Sequence, residues 1–197
     1  MIGRLLPFRR PDPSPGELSD DALVAGCAAG DPAALASLFD RHHQGVHRFL
    51  ARLSGVDDHV VDDLMQEVFL QAFASARRFR GGAPVRTWLF GIAVNLARRH
   101  VRTDVRRKAR GAVFLAQLAP SPLTPAAKAE RNQLLGLLHR ALQELSHDLR
   151  AAFVLCDVEG VRGVDAARAL GLREGTLYRR LHEARMALRR AVLGRDP

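Results

Sequence analysis

The chain has 197 residues, 47% hydrophobic and 26% charged, which is room for one ordinary domain or two small ones and too apolar for a disordered polypeptide. No run of about 18 apolar residues occurs, which excludes a hydrophobic transmembrane helix. The two cysteines, Cys27 and Cys156, lie too far apart in sequence to make a disulfide framework or a cysteine-rich zinc site, and the net charge of +9 suits a polyanionic partner.

Residues 1–16, with Pro7, Pro11, Pro13 and Pro15, read as a disordered leader, and Arg4, Arg9 and Arg10 are not followed by the apolar segment of a secretion signal. Ser19 can cap a short helix carrying Leu23, Val24 and Cys27, which Gly30 ends. Asp31-Pro32 joins an N-cap to a proline at the first helical position. Inward residues then recur at Leu35, Leu38, Phe39, His42, Val46, Phe49, Leu50 and Leu53 until Gly55. Asp57 or Asp58 starts a third helix with Val61, Leu64, Met65, Val68, Phe69, Ala72 and Phe73 on one stripe. After a break at Phe79-Arg80-Gly81-Gly82-Ala83-Pro84, a fourth helix is expected from about Val85 to Arg106, burying Trp88, Leu89, Ile92 and Leu96.

The stretch from Arg107 to Lys128, with Pro120, Pro122 and Pro125, has no sustained amphipathic repeat and reads as a linker. Helical pattern resumes at Asn132 through Leu134, Leu135, Leu138, Leu142 and Leu145. Ser146 can cap the next helix, which holds Leu149, Phe153, Val154 and Val158 and ends at Gly160. No segment alternates as a strand would. The expected fold is all-α, with two small helical domains joined by a flexible linker. The expected boundaries are a leader at 1–16, a first domain at 17–106, the linker at 107–130 and a second domain at 131–195.

Charge is unevenly distributed. Residues 17–67 carry ten acids against three bases, and residues 68–110 carry eleven bases against one acid, Asp104. Residues 161–197 add nine bases and four acids. Of the 30 basic residues, 28 are arginine, but a bias in codon usage would spread arginine evenly. Clustering therefore points to nucleic-acid surfaces, one in the middle of the chain and one near its end.

The last 35 or so residues have the spacing of a helix-turn-helix. Ala167 is the small residue where two helices cross, Gly171 makes the turn, and Leu177 is the aliphatic anchor facing back, with Leu170 and Leu172 beside the turn. Arg173-Glu174-Gly175-Thr176 opens the second helix, where backbone donors and Thr176 can meet a phosphate. Tyr178, Arg179, Arg180, His182 and Arg185 follow as side chains able to reach major-groove edges or phosphates.

In the first domain, Asp62-Asp63-Leu64-Met65-Gln66-Glu67-Val68-Phe69 places acids opposite the apolar stripe as an exposed ridge. Basic residues follow the glycine break: Arg77, Arg78, Arg80 and Arg86, then Arg98, Arg99, Arg102 and Arg106.

Together these motifs resemble the extracytoplasmic-function sigma factors of bacterial RNA polymerase. The residues that carry the resemblance are Gly30-Asp31, the Asp-Leu-x-Gln-Glu-x-Phe of 63–69, Arg78-Phe79-Arg80-Gly81 and the Thr87-Trp88-Leu89-Phe90-x-Ile92-Ala93-x-Asn95 run. Leu145-x-x-Asp148-Leu149-Arg150, Glu159-Gly160 and Gly175-Thr176-Leu177 continue it in the same order.

The resemblance implies that Asp63, Gln66, Glu67 and Phe69 bind the core polymerase. It implies that Phe79, Arg80, Trp88, Asn95, Arg98, Arg99 and Arg102 meet the −10 promoter element, where the 79–85 loop captures a flipped base. Arg173, Thr176, Tyr178, Arg179, Arg180, His182 and Arg185 would meet the −35 element. Implied partners are the bacterial RNA polymerase core and promoter DNA, in the cytoplasm and without membrane insertion, and an anti-sigma factor is left open as a third. The Gly82-Ala83-Pro84-Val85 loop, Tyr178 and Glu183 depart from the family's pattern, so no base preference is carried over. The Val161–Asp165 lead-in to the helix-turn-helix also lacks the family's serine cap.

A stand-alone helix-turn-helix regulator is the alternative, and it leaves the acidic ridge without a use. An enzyme is not expected. His43 and His47 are spaced i, i+4, but no HExxH motif accompanies them, and no nucleophile arrangement or phosphate-cradling glycine motif is present. No cofactor and no metal are expected.

Overall fold

The computed structural model describes residues 18–54, 58–105, 136–138 and 140–193, and every element among them is helical. The leader at 1–16, the linker at 107–130 and Leu134 and Leu135 lie outside the described residues. Four helices form the N-terminal half: α1 (Asp20–Ala29), α2 (Pro32–Ser54), α3 (Asp58–Ser75, followed by a 3₁₀ turn at Ala76–Arg78) and α4 (Val85–Val105). The C-terminal half has helical residues at 136–138 and 140–144, then α5 (His147–Phe153), which widens into a π-helical turn at Val154–Val158. Helices α6 (Gly163–Leu170) and α7 (Glu174–Leu193) follow.

Local chemistry accounts for most helix ends. Ser19 Oγ accepts from the Ala22 amide at 3.2 Å, and Asp31 Oδ1 accepts from the Ala33 amide at 2.9 Å. Ser146 Oγ accepts from the Leu149 amide at 3.4 Å. Each satisfies an amide that the first helical turn leaves without an intrahelical partner. Gly30 closes α1 at φ 89°, and Gly171 turns the chain between α6 and α7 at φ 65°, both left-handed conformations that a side chain disfavours. Arg162, before α6, makes no side-chain cap. The buried Asp165 carboxylate instead accepts from Arg162 Nε at 2.7 Å and lies 3.7 Å from Arg168.

The main core is centred on α2 and α4, where the Phe49 and Phe90 rings stack 4.2 Å apart and both are fully buried. Leu38, Leu50, Leu53, Val61, Val68 and Leu89 surround them. This core continues into the C-terminal half through Ala151, Ala152, Val154, Leu155, Ala166, Ala167 and Leu177. A second, smaller cluster joins Ala141, Leu142 and Leu145 to Ala184 and Leu188 of α7.

Helix α4 is consequently buried around most of its circumference. Besides the expected Leu89 and Leu96, it buries Phe90, Ala93, Val94 and Ala97, because α6 packs against the side that a two-domain reading leaves to solvent. Val158, expected on an inward stripe, is 42% exposed, because the π-helical turn rotates it out of the α-helical register.

Candidate nucleic-acid interface

On α3, Asp62, Asp63, Gln66 and Glu67 are all exposed, and Leu70 adds an apolar side chain 65% exposed on the same ridge. Their i, i+3, i+4 spacing puts them on the helix side opposite Val61, Leu64 and Val68. Phe69 does not belong to this surface. It is buried, with its ring edge-on to Phe39 at 4.9 Å, so it supports the ridge from inside. Leu70, which sequence reasoning passed over, is the apolar residue that the ridge actually presents.

The second surface starts at the 79–84 loop. Phe79 and Trp88 are half-buried and pack against each other at 4.9 Å, anchoring the loop to the first turn of α4. Trp88 is thus part of the loop's foundation, while Arg78, Arg80, Gly81 and Gly82 are exposed. A cleft beside the loop is lined by Gly81 to Val85, by Asp20 and Asp21 of α1, and by Arg162 and Asp165 at the start of α6. These four charged residues were not in the sequence-level site, because they approach the loop only through tertiary packing.

Further along α4, Arg98 donates to the Asn95 side-chain oxygen, and Arg99 is exposed. Arg98 also lies 3.8 Å from Asp148 of α5. The side chain of Arg102 lies outside the described residues.

The helix-turn-helix has the expected frame. Ala167 and Leu177 are buried, and Leu170 packs half-buried against the main core. Arg173, just before α7, and Arg179 and His182 on it are exposed, Thr176 is half-buried at the first turn, and Arg179 lies 3.5 Å from Glu183. Tyr178 is 52% exposed and leans over Gly163, where a side chain would collide with its ring and hydroxyl. Two more expected DNA contacts are held by acids of α5 and the turn that follows it. Arg180 is held by Asp148 at 2.8 Å, and Arg185 makes a two-point pair with Asp157 at 2.8 and 2.6 Å. Arg185 therefore braces α7 against the π-helical turn.

Three histidines of α2, His42, His43 and His47, have structural partners. Buried His42 faces Asp20 at 3.0 Å, and Arg41 joins that carboxylate at 2.8 Å. Hydrogen bonding to His42 above all, with Arg41 adding to it, holds the Asp20 carboxyl down at about 2. His43 bonds the Phe39 carbonyl at 3.0 Å and stacks on its ring, and His47 lies 3.4 Å from Asp62. No helix among the described residues is long and apolar enough to cross a membrane.

Comparison with known proteins gives both halves the same assignment. Residues 38–107 match the model for sigma-70 region 2, and residues 135–188 match that for sigma-70 region 4. The ECF RNA polymerase sigma factor SigM of Mycobacterium tuberculosis is 37% identical over 176 residues, covering 89% of this chain and 86% of that protein. The ECF RNA polymerase sigma-E factor of Escherichia coli is 28% identical over 180 residues, covering 87% and 93%. Among solved structures, CnrH in complex with the cytosolic domain of CnrY superposes with a TM-score of 0.60 at 28% identity, covering 86% of this chain and 94% of that one. The sigma factor RpoE of Bartonella quintana, solved with the anti-sigma factor NepR, gives 0.61 at 25% identity, covering 82% and 98%. Helix-turn-helix, acidic ridge and a likeness over most of the chain agree: the chain belongs to the ECF family of RNA polymerase sigma factors.

Proposed function

We propose that this protein is a promoter-specificity subunit that binds the core of bacterial RNA polymerase, recognises −35 and −10 elements and helps open the DNA. It performs no catalysis of its own and works in the cytoplasm. The observation that carries this reading is one chain holding both an exposed acidic ridge on α3 and a basic helix-turn-helix. A regulator acting alone has no use for the first.

Asp63, Gln66 and Glu67, joined by Leu70, make the polymerase contact, with Phe69 behind them. The 79–84 loop with Asn95, Arg98, Arg99 and Arg102 takes the displaced strand at −10. Capturing an unstacked base offsets part of the several kcal/mol that opening a few base pairs costs, and the arginines add salt-dependent affinity for the backbone. Arg173, Thr176, Tyr178, Arg179, Arg180 and His182 read the −35 duplex from α7. The working units are 17–106 and 131–195, tethered by 107–130. Tethering raises the effective concentration of the second reader once the first is bound. An anti-sigma factor is a further candidate partner, since the RpoE structure contains one.

A pull-down and run-off transcription with purified core polymerase test the proposal, comparing wild type with Asp63→Arg/Glu67→Arg. Both side chains are exposed, so the double variant should keep its fold. Binding to core and promoter-specific transcripts, both lost in the variant, are expected. A wild-type protein that ignores core yet binds duplex DNA overturns the reading in favour of a stand-alone regulator.

A further inference from the structure

We propose that Tyr178 reads the 5-methyl group of a thymine in the −35 element, and that Gly163 is the seat that positions its ring. The proposal rests on the promoter-reading assignment above and names the chemistry that one point of that surface recognises.

The backbone does not explain the glycine at 163. The left-handed glycines among the described residues are Gly30, Gly81, Gly160 and Gly171, and Gly163 is not one of them. It is the first residue of α6, where helix propensity alone favours alanine. What excludes a side chain there is Tyr178. A Cβ at 163 would collide with the phenol oxygen and stand 2.7 Å from Cζ and 3.1 Å from Cε1. The ring therefore rests by this edge on the start of α6, with Tyr178 still 52% exposed. Its hydroxyl is turned to Gly163, so the ring is the part left for a ligand to meet.

The open part of the ring faces the groove. The second helix of a helix-turn-helix enters the major groove by its N-terminal residues, and Tyr178 lies in the second turn of α7. Tyr178, Arg179 and His182 are exposed there, away from buried Leu177, Leu181 and Ala184. Val164, next to the seat, is 36% exposed and adds apolar surface to a face otherwise polar. An aromatic ring cannot supply the forked donors that an arginine offers to guanine O6 and N7. The apolar mark on a base edge in the major groove is the thymine methyl, which suits a carbon surface. A ring already held on its seat gives up little rotamer freedom when it takes that contact.

The test uses holoenzyme assembled from the full chain and purified core polymerase. Duplexes randomised over the −35 region are selected for binding. Each thymine of the selected element, on either strand, is then replaced in turn by deoxyuridine, which lacks only the methyl group. At one position the replacement is expected to cost about fourfold in affinity, as for one buried methyl. Tyr178→Phe should keep this preference, because the hydroxyl is not the reader. Tyr178→Ala and Gly163→Ala should abolish it, the second by pushing an intact tyrosine off its seat. Helix content and core binding check that each variant is folded. A selected element without thymine, or equal affinity for thymine and deoxyuridine at every position, overturns the proposal. So does a Tyr178→Ala protein that still discriminates. Discrimination that survives Gly163→Ala overturns the seat, and its loss in Tyr178→Phe overturns the ring as reader. A wild-type chain that binds no core, or selects no −35 sequence with it, refutes the promoter-reading assignment instead.

Discussion

Phe49 and Phe90 stack at the centre of α1–α4 among fully buried leucines and valines, whereas the C-terminal half has five small-to-medium residues at its own centre. The larger share of the apolar residues that the C-terminal half buries, from Ala151 to Leu177, belongs to the core it shares with the first half. The N-terminal half is thus a self-sufficient core, and the C-terminal half is stable in large part as a guest on it.

The largest expected effect separates the two cores. Phe49→Ala should cost about 3–5 kcal/mol, because it empties a fully buried, stacked position. Leu188→Ala, in the small cluster, should sit at the low end of about 2–5 kcal/mol. Urea unfolding of both variants checks this, and equal losses would break the contrast.

A smaller effect is expected at the junction. Arg150 is buried and donates to the carbonyls of Leu53, Gln143 and Leu145 and to the Gln143 side chain. Burial lowers its guanidinium to about 10, so it is still cationic at neutral pH. Arg150→Met leaves those acceptors without a donor, at about 1–3 kcal/mol for a buried unsatisfied group. Unfolding of the second half ahead of the first, seen by hydrogen exchange, would sharpen the distinction between host and guest.

The smallest effect is a pH slope. Burial above all, with the neighbouring Arg150 next, lowers His147 to about 4, while Asp148 opposes the shift. Between about pH 6.5 and 4 the unfolded chain takes up a proton that the folded chain refuses, so stability falls as pH falls across that window. Arg98 faces the same cleft, so protonation adds a cation beside two arginines. His147→Asn should flatten the pH dependence of the thermal midpoint in that range. An unchanged slope would mean that the junction does not sense this imidazole.

Local chemistry was legible in the sequence and distant packing was not. Ser19, Asp31-Pro32, Ser146, Gly30 and Gly171 mark helix ends through bonds made within a few residues, and all five behave as read. The second buried side of α4 escaped notice, because periodicity over a short window cannot show what packs on a helix from far along the chain. Arg185 looked like a DNA contact because its partner Asp157 is 28 residues upstream, and the pairing of Glu159 stayed out of view because Arg52 is 107 residues away. Phe69 was carried into the polymerase contact with its motif, although its own place on the apolar stripe already set it inward.

The π-helical turn at Val154–Val158 divides labour between neighbouring acids. Its wide winding, closed by the Glu159 amide to the Val154 carbonyl at 2.9 Å, sends Asp157 to Arg185 within its own half and Glu159 across to Arg52 and Arg86. Such a turn holds about one residue more than an α-helical one. Deleting a single residue there would restore ordinary winding and change which of the remaining residues faces which half. This short segment is therefore a length gauge: its residue count, more than its composition, decides whether the two acids face different halves.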